Sequence, residues 1–243
     1  MAKRDKLHRG SGGILAPNSA GGSPIVEQGA PATGLRERKK ERTREALIDA
    51  ALDLFWRKGY DATTIDEIAA AVDVSRRTFF RYFAGKEDVA LARASEVERA
   101  FVDAVAERPA GEPPVVAMRT ATFTVMAALA DDPKRGSSEA FVRTRRLIEE
   151  NPHLMAASLR HAMETERLMT AVIARRQGVD LHADLRAALT VACFNAVSRV
   201  AMDEWTERGA LGTPELAAVL EDAWAAMGDL VDSGWLDTGW KSE

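Results

Sequence analysis

The chain is poor in the residues that build several common kinds of site. It has one cysteine, Cys193, among 243 residues, which excludes an internal disulfide and a multi-thiolate metal site. Its four histidines show no spacing typical of metal ligands, and no glycine-rich phosphate loop or G-x-S-x-G turn occurs. We therefore predict a protein that is not an enzyme, with no catalytic residues, no metal site and no cofactor. Cys193 lies in an apolar helical pattern, which predicts a buried, inert thiol.

Long apolar runs are also missing. No stretch of 18 or more apolar residues occurs, and residues 1–34 lack the continuous apolar core of a secretory signal. We therefore expect a cytoplasmic protein with no membrane partner. Apolar residues make up 46 % of the chain and charged residues 29 %, which is typical of a globular protein.

The net charge of −4 is unevenly distributed along the chain. Residues 1–92 carry 16 Lys and Arg against 13 Asp and Glu, whereas the remaining 151 residues carry 17 against 24. A mildly basic front on an acidic body favours an anionic partner, such as nucleic acid, at the front.

Residues 1–34 are rich in glycine and proline and keep no apolar period, which predicts a disordered tail. The basic start of this tail leaves two roles open, a non-specific phosphate contact or none. From Leu35 onward the chain is predicted to be helical. One apolar stripe predicts a helix over about 36–58 that stops at Gly59, and its members are Leu47, Ala51, Leu54 and Phe55.

Two short helices are predicted next. Thr64 stands where an N-cap belongs and Glu67 follows three residues later, which is the pattern of a capping box. After a tight turn at Asp73, Ser75 caps a third helix of about eight residues, which ends before Gly85. Two short helices joined by such a turn form a helix-turn-helix.

The third helix has a basic outward face. With three aromatic side chains directed into the core (Phe79, Tyr82 and Phe83), the helical period turns a basic set outward: Arg76, Arg77, Phe80 and Arg81, with Thr78 at the margin. Arginine bridges guanine O6 and N7 or pairs with a phosphate, so this face suits a DNA groove. A solvated basic face is the alternative.

The run from Thr64 to Asp88 resembles the DNA-binding segment of the tetracycline-repressor (TetR) family, and the resemblance extends over roughly 38–91. It implies an all-helical homodimer whose N-terminal modules read a palindrome while a larger body binds an effector. The resemblance places Thr64 and Lys86 near phosphates. The full predicted DNA-binding set is Arg44, Thr63, Thr64, Ser75, Arg76, Arg77, Thr78, Phe80, Arg81, Tyr82 and Lys86.

Two residues depart from the family pattern. Asp73 stands where the turn commonly has glycine, and an aspartate tolerates the left-handed conformation at modest cost. Phe80 replaces a tyrosine that often donates to phosphate, so we expect Phe80 to contact a sugar or a thymine methyl instead.

The body is predicted to contain six longer helices, which brings the total to about nine. Their ranges are 86–107, 114–130, 138–150, 152–177, 183–208 and 214–233, separated by breaks that include 131–136. The last two helices are the most apolar, and two from each protomer can close a four-helix bundle across a two-fold axis. Packing within one chain is the alternative.

The stretch 145–154, with Asn195, Arg199 and Trp205, is similar to effector domains of TetR-family members that bind acyl-CoA-like ligands. The resemblance implies a fatty acyl-CoA or a related thioester as effector. We predict an apolar tunnel and two cations that meet the anionic groups. The predicted ligand-binding set is Phe123, Met126, Arg146, Met155, Leu159, Met163, Phe194 and Arg199. Ordinary core packing is the alternative for its six apolar members.

The predicted protein is therefore all-α: a disordered tail (1–34), a helix-turn-helix domain (35–86) and a helical ligand-binding and dimerisation domain (87–243). We predict a transcriptional regulator with double-stranded operator DNA, a small-molecule effector and a second copy of itself as partners. Effector binding is expected to move the fourth helix and to change the distance between the DNA-binding modules of the two protomers, which are the reading heads of the dimer. A constitutive DNA-binding or architectural protein without an effector is the alternative.

Overall fold

The computed structural model describes residues 32–130, 138–209 and 212–232. Within these ranges the regular structure is entirely helical, which confirms the predicted class. The helices are α1 (Ala32–Lys58), α2 (Ile65–Ala71), α3 (Arg76–Phe80), α4 (Lys86–Glu107), α5 (Pro114–Ala130), α6 (Ser138–Glu149), α7 (Pro152–Gln177), α8 (Arg186–Glu207) and α9 (Thr213–Asp232).

Two of the expected irregular segments lie outside the described residues. These are the break at 131–136 and the tail at 1–34, except for its last three residues, which begin α1. The described part of the chain divides into two units between residues 39 and 40, and both hydrophobic cores belong to the second unit. No helix in the described part of the chain is both long and apolar enough to cross a membrane.

The first hydrophobic core packs α1, α2 and α3, which form the N-terminal module, against the start of α4. Phe55 of α1, Ile68 of α2, Phe79 of α3 and Val89 of α4 meet there and are at most 2 % exposed. Each such side chain contributes about 1.5–3 kcal/mol by leaving water. Because Phe79 is fully buried, the opposite face of α3 points outward.

Local capping sets where α2 and α3 begin. Thr64 accepts a hydrogen bond from the Glu67 amide, and the Glu67 carboxylate accepts one from the Thr64 amide, so the predicted capping box is confirmed. The Ser75 hydroxyl accepts from the Thr78 amide at 3.1 Å, as predicted for the third helix. Asp73 adopts the left-handed conformation, with φ 54°, that the turn requires.

α3, the helix that carries the predicted DNA-recognition face, is shorter than predicted. α3 spans five residues instead of about eight, because the Arg81 and Tyr82 amides bond to carbonyls three residues back, which tightens the chain into turns. Tyr82, which we expected in the core, is half-buried as a result, whereas Phe79 and Phe83 are buried.

The second hydrophobic core lies among α4, α5, α7, α8 and α9. Met118, Ile173 and Val191 are at most 1 % exposed there, and Trp205 and Trp224 pack around them. The predicted bounds of α4, α5 and α7 are confirmed. α8 begins three residues later than predicted because residues 180–184 form a separate turn, in which the Asp184 amide bonds to the Asp180 carbonyl.

Three helices connect the cores. α4 contributes Val89 to the first core and Val105 to the second, and α7 contributes Leu154 to the first and Ile173 to the second. α6 contributes Leu147 to the first core and forms an ion pair with α8. The N-terminal module and the body therefore share three helices.

Cys193 is exposed, so the prediction of a buried thiol is wrong. The residue lies on the outer face of α8, whose inner face is defined by Val191, Phe194 and Ala201. The apolar pattern was read correctly, but α8 carries apolar residues on both faces, and periodicity alone does not say which face enters the core.

The capping box generates a prediction about acid stability. Hydrogen bonds from Lys58 and Thr64 lower the pKa of Glu67 from 4.5 to about 2. A carboxyl whose pKa is depressed by folding stabilises the fold above its unfolded pKa and loses that contribution as the pH falls towards the folded value. We therefore expect Glu67→Gln to be less stable than wild type at pH 7, with a difference that shrinks steadily from about pH 4.5 to pH 2.

Urea denaturation of both proteins across this pH range measures the difference. Glu164→Gln is the control, because this exposed glutamate on α7 has no hydrogen-bond or ion-pair partner in the described part of the chain. A stability difference for Glu67→Gln that stays constant from pH 7 to pH 2 would contradict the assignment.

Candidate functional site

The outward face of α3 is basic and exposed. Arg76, Arg77 and Arg81 project from α3 and its C-cap, and Phe80, 46 % exposed, lies among them. Thr78 is half-buried at the margin of this face. The structure thus brings together the five side chains predicted for the recognition surface.

The arginines of this face are held only by weak surface contacts. Arg76 donates to Asp66 at 3.1 Å, and Arg81 donates to the Tyr82 hydroxyl at 3.3 Å. Arg77 has no partner among the described residues. Exposed ion pairs of this kind contribute about 0–1 kcal/mol, so the guanidinium groups can exchange these contacts for an anionic partner.

Three further predicted DNA-binding residues, which lie outside α3, are held by hydrogen bonds within the chain. The Thr63 side chain is 1 % exposed, and its hydroxyl donates to the Gly59 carbonyl at 2.8 Å. Arg44 donates to Glu96 of α4. The hydroxyl of Thr64 is used in the capping box. Thr63 is therefore buried and Arg44 half-buried, whereas Thr64 remains exposed.

Lys86 ties the start of α4 to the loop after α1. Its ammonium donates to the carbonyls of Tyr60 and Thr63 at 2.8 and 2.9 Å and lies 4.4 Å from the centre of the Tyr60 ring. Burial, with smaller contributions from the charges of Glu87 and Asp61, raises the pKa of Tyr60 to about 12. The ring therefore stays neutral at ordinary pH, and the ammonium packs against an uncharged aromatic face.

An ion-pair network joins α1 to α4. Arg93 of α4 reaches Glu45 at 2.6 Å and Asp49 at 2.8 Å, both on α1, and Glu96 of α4 pairs with Arg44 of α1. The network is partly buried, which limits its screening by salt. No sequence signal marked it, because the partners are 44 to 52 residues apart.

The predicted ligand-binding residues do not line one tunnel in the described part of the chain. Phe123, Met126 and Phe194 pack in the second core, where Phe194 stacks on Trp224 with ring centres 5.5 Å apart. The other five residues lie nearer the surface of α6, α7 and α8: Arg146, Met155, Leu159, Met163 and Arg199.

These five residues have different environments. Leu159 and Met163 are 59 % and 57 % exposed, and Met155 is half-buried. Arg199 is exposed and pairs with Asp203 at 3.3 Å, and Arg146 is exposed. Both cations are exposed, so they do not stand beside an apolar tunnel formed by the other predicted residues.

A polar cavity of about 550 Å³ lies where α1, α4 and α7 meet the segment that follows α3. Arg44, Tyr82, Glu96, Arg99 and His161 are among its walls. Sequence reasoning missed it, because its charged groups come from distant parts of the chain. The imidazole Nε2 of His161 lies 3.5 Å from Glu98 of α4.

α8 has an exposed apolar stripe. Leu185 is 71 %, Leu189 59 % and Val200 54 % exposed. The stripe is completed by small side chains at helical spacing, namely Ala192, Cys193 and Ala196. The exposed face of α9 also includes small residues, Ala218 and Ala225.

Comparisons with known proteins match both parts of the chain. A model of the bacterial regulatory proteins of the tetR family matches residues 47–92, and a model of the MftR C-terminal domain matches residues 131–232. The HTH-type transcriptional regulator TcmR of Streptomyces glaucescens is 42 % identical over 207 residues, which cover 85 % of this chain and 92 % of TcmR.

Solved structures share the fold at lower identity. SmeT of Stenotrophomonas maltophilia, in a complex with triclosan, aligns with a TM-score of 0.52 and 19 % identity over 76 % of this chain and 91 % of its own. NalD, the secondary repressor of the MexAB-OprM multidrug efflux pump in Pseudomonas aeruginosa, aligns with a TM-score of 0.51 and 17 % identity over 77 % and 96 %. At these identities the alignments establish the fold alone.

Proposed function

Because the chain belongs to the TetR family of bacterial regulatory proteins, we propose that it is a repressor that binds a palindromic operator as a homodimer and leaves it when a small amphipathic effector binds. Members of this family are DNA-binding transcriptional regulators and not enzymes, and this chain is such a regulator. The observation that carries the proposal is the exposed basic face of α3.

The basic face of α3 has the chemistry to read a major groove. Arg77 and Arg81 are exposed and each presents a fork of donors that matches guanine O6 and N7 or a phosphate. The apolar ring of Phe80 suits a thymine methyl. Arg76 and the capping hydroxyl of Ser75 lie at the start of the helix, where phosphates are favoured.

Residues with partners inside the chain serve the same surface indirectly. Lys86 fixes the start of α4 against the loop before α2, and Arg44 fixes α1 against α4. We assign both to positioning the module, and we assign Thr63 to supporting the loop that Lys86 contacts. The Lys86 ammonium uses two of its three donors on these carbonyls, which leaves one donor for a phosphate.

The stripe on α8 supports homodimerisation through the last two helices. From Leu185 to Val200 it runs about 22 Å at 1.5 Å per residue, and a continuous exposed apolar surface of this kind marks an interaction site. The alanines at 192 and 196, with those of α9, allow close approach of helices across a two-fold axis. A dimer places two copies of α3 on one operator.

A fatty acyl-CoA is the candidate effector implied by the resemblance of residues 145–154, and the exposed pair Leu159 and Met163 on α7 supplies apolar surface for an acyl chain. One observation favours the constitutive alternative: Phe123, Met126 and Phe194 pack in the second hydrophobic core instead of lining a tunnel with the other predicted residues.

Operator reading is tested by fluorescence anisotropy on DNA from upstream of the gene, with scrambled DNA of equal length alongside. Arg77→Ala and Arg81→Ala are each expected to weaken specific binding by about 1–3 kcal/mol and to weaken scrambled-DNA binding less. Arg175→Ala, which removes an exposed arginine of α7, is the control and is expected to bind as wild type. Equal losses on both DNAs would mean that the two arginines contact phosphates and do not read bases.

Effector release is tested by the same assay with palmitoyl-CoA, with free CoA as the control. We expect palmitoyl-CoA to weaken operator binding by about five- to 150-fold, the usual range of coupling between two sites, and to raise the melting temperature. Operator affinity and melting temperature that both ignore palmitoyl-CoA would remove acyl-CoA from the proposal. They would also favour the constitutive alternative.

Dimerisation is tested by replacing one stripe residue with a charge. Wild type is expected to sediment at about twice its chain mass of 26.4 kDa, and Leu189→Glu to shift towards 26.4 kDa, because a desolvated carboxylate opposes association. Leu159→Glu is the matched control, since both leucines are 59 % exposed but Leu159 lies on α7. Cys193 adds a readout without mutation: its reaction with a maleimide is expected to be slow in the wild-type dimer and fast in Leu189→Glu. A monomeric wild type would overturn the interface.

A further inference from the structure

The polar cavity between the N-terminal module and the body has the dimensions of a ligand site. Its volume of about 550 Å³ falls within the range of about 300–1,000 Å³ usual for small-molecule pockets. Its walls come from α1, α4 and α7, and from Tyr82 and Phe83, which directly follow the recognition helix. An occupant would therefore touch the reading head and the body at once.

Three carboxylates line the cavity, and each has a partner within the chain. Glu41 lies 3.8 Å from Arg44. Glu96 accepts from Arg44 and lies 3.3 Å from Arg93. Asp88 accepts a hydrogen bond from the Ala84 amide at 2.8 Å. A cationic ligand would have to displace these internal donors.

Two cationic or proton-binding groups of the cavity, Arg99 and His161, form no side-chain hydrogen bond among the described residues. The Arg99 side chain is exposed and has no hydrogen-bond or ion-pair partner in the described ranges. The imidazole Nε2 of His161 is buried without a hydrogen bond, although the Glu98 carboxylate lies 3.5 Å away. That carboxylate already accepts from the Thr165 hydroxyl at 2.7 Å.

We propose that this cavity is an anion site, in which Arg99 of α4 and His161 of α7 hold the carboxylate or phosphate group of a small organic anion. A guanidinium binds either group through paired, charge-assisted hydrogen bonds. This inference rests on the proposed function, because it assigns the site to the charged group of the effector. It transfers to Arg99 and His161 the role that we expected of Arg146 and Arg199.

The location of the site links anion binding to DNA release. α4 carries Arg99, begins beside the recognition helix and takes part in both hydrophobic cores. An anion held between α4 and α7 therefore acts on the helix that sets the orientation of the reading head. Linkage requires that the anion and the operator weaken each other by the same factor.

Anion binding is tested first on the full-length protein without DNA. Inorganic phosphate and succinate are the probes, and sodium chloride at equal ionic strength is the reference in a thermal melt and in calorimetry. Phosphate, succinate or both are expected to raise the melting temperature above the chloride reference. Comparing the two probes separates a phosphate site from a carboxylate site.

Variants locate the site. Arg99→Gln and His161→Gln are each expected to weaken anion binding by about tenfold or more, whereas Arg175→Gln, on an exposed arginine of α7 outside the cavity walls, is expected to bind as wild type. Equal stabilisation of wild type and both cavity variants would overturn the site, as would no stabilisation of wild type by either probe.

A second measurement tests the link to DNA. At constant ionic strength, the probe that binds is expected to weaken operator affinity of wild type and to leave that of Arg99→Gln unchanged. Anion binding without any change in operator affinity would overturn the assignment of this anion to DNA release. If the protein bound no operator at all, the proposed function would fail, while the melts on protein alone would still decide whether the anion site exists.

Discussion

The participation of α4 in two hydrophobic cores is the constraint on which the rest of the structure depends. Its first turns bury Val89 against the aromatic residues of α1 and α3, and its last turns bury Val105 among α5, α7 and α8. A rigid helix anchored at both ends transmits displacement along its length, because close-packed cores have discrete arrangements rather than a continuous range. The orientation of α3 therefore depends on how α4 packs in both hydrophobic cores.

Polar contacts restrict α4 further. Lys86 holds its first residue to two loop carbonyls, and Arg93 holds its second turn to two carboxylates of α1. Removing one partner from such a partly buried network leaves the other unsatisfied, which costs more than the intact pair contributes. The charges between α1 and α4 therefore define one docking geometry, whereas the two apolar cores supply most of the stability.

The sequence was informative wherever structure is local. The capping box at Thr64, the cap at Ser75 and the left-handed turn at Asp73 depend on residues within three positions of each other, and all three are present. Propensity and periodicity also located the long helices. The same rules overestimated α3, because its end is set by turns that accommodate Phe83 in the core.

The sequence patterns did not predict which helix faces are buried or which distant residues meet in the folded chain. Periodicity identifies an apolar face, but α8 has apolar residues on two faces, and only packing decides that Phe194 is buried and Cys193 exposed. The predicted effector-binding residues lie in different environments for the same reason, because sequence spacing does not show which helix faces pack together. The walls of the polar cavity join residues far apart in the chain, so neither spacing nor composition indicated them.

The shortness of α3 limits how much sequence information one protomer can extract from DNA. Five residues at 1.5 Å each span about 8 Å, which is little more than two base-pair steps along a groove. Each correct base pair adds discrimination of about 1–3 kcal/mol, while a genome offers about 10⁶–10⁹ competing sites. One α3 of this length therefore specifies a DNA site poorly, and the homodimer proposed above would double the number of base pairs that are contacted.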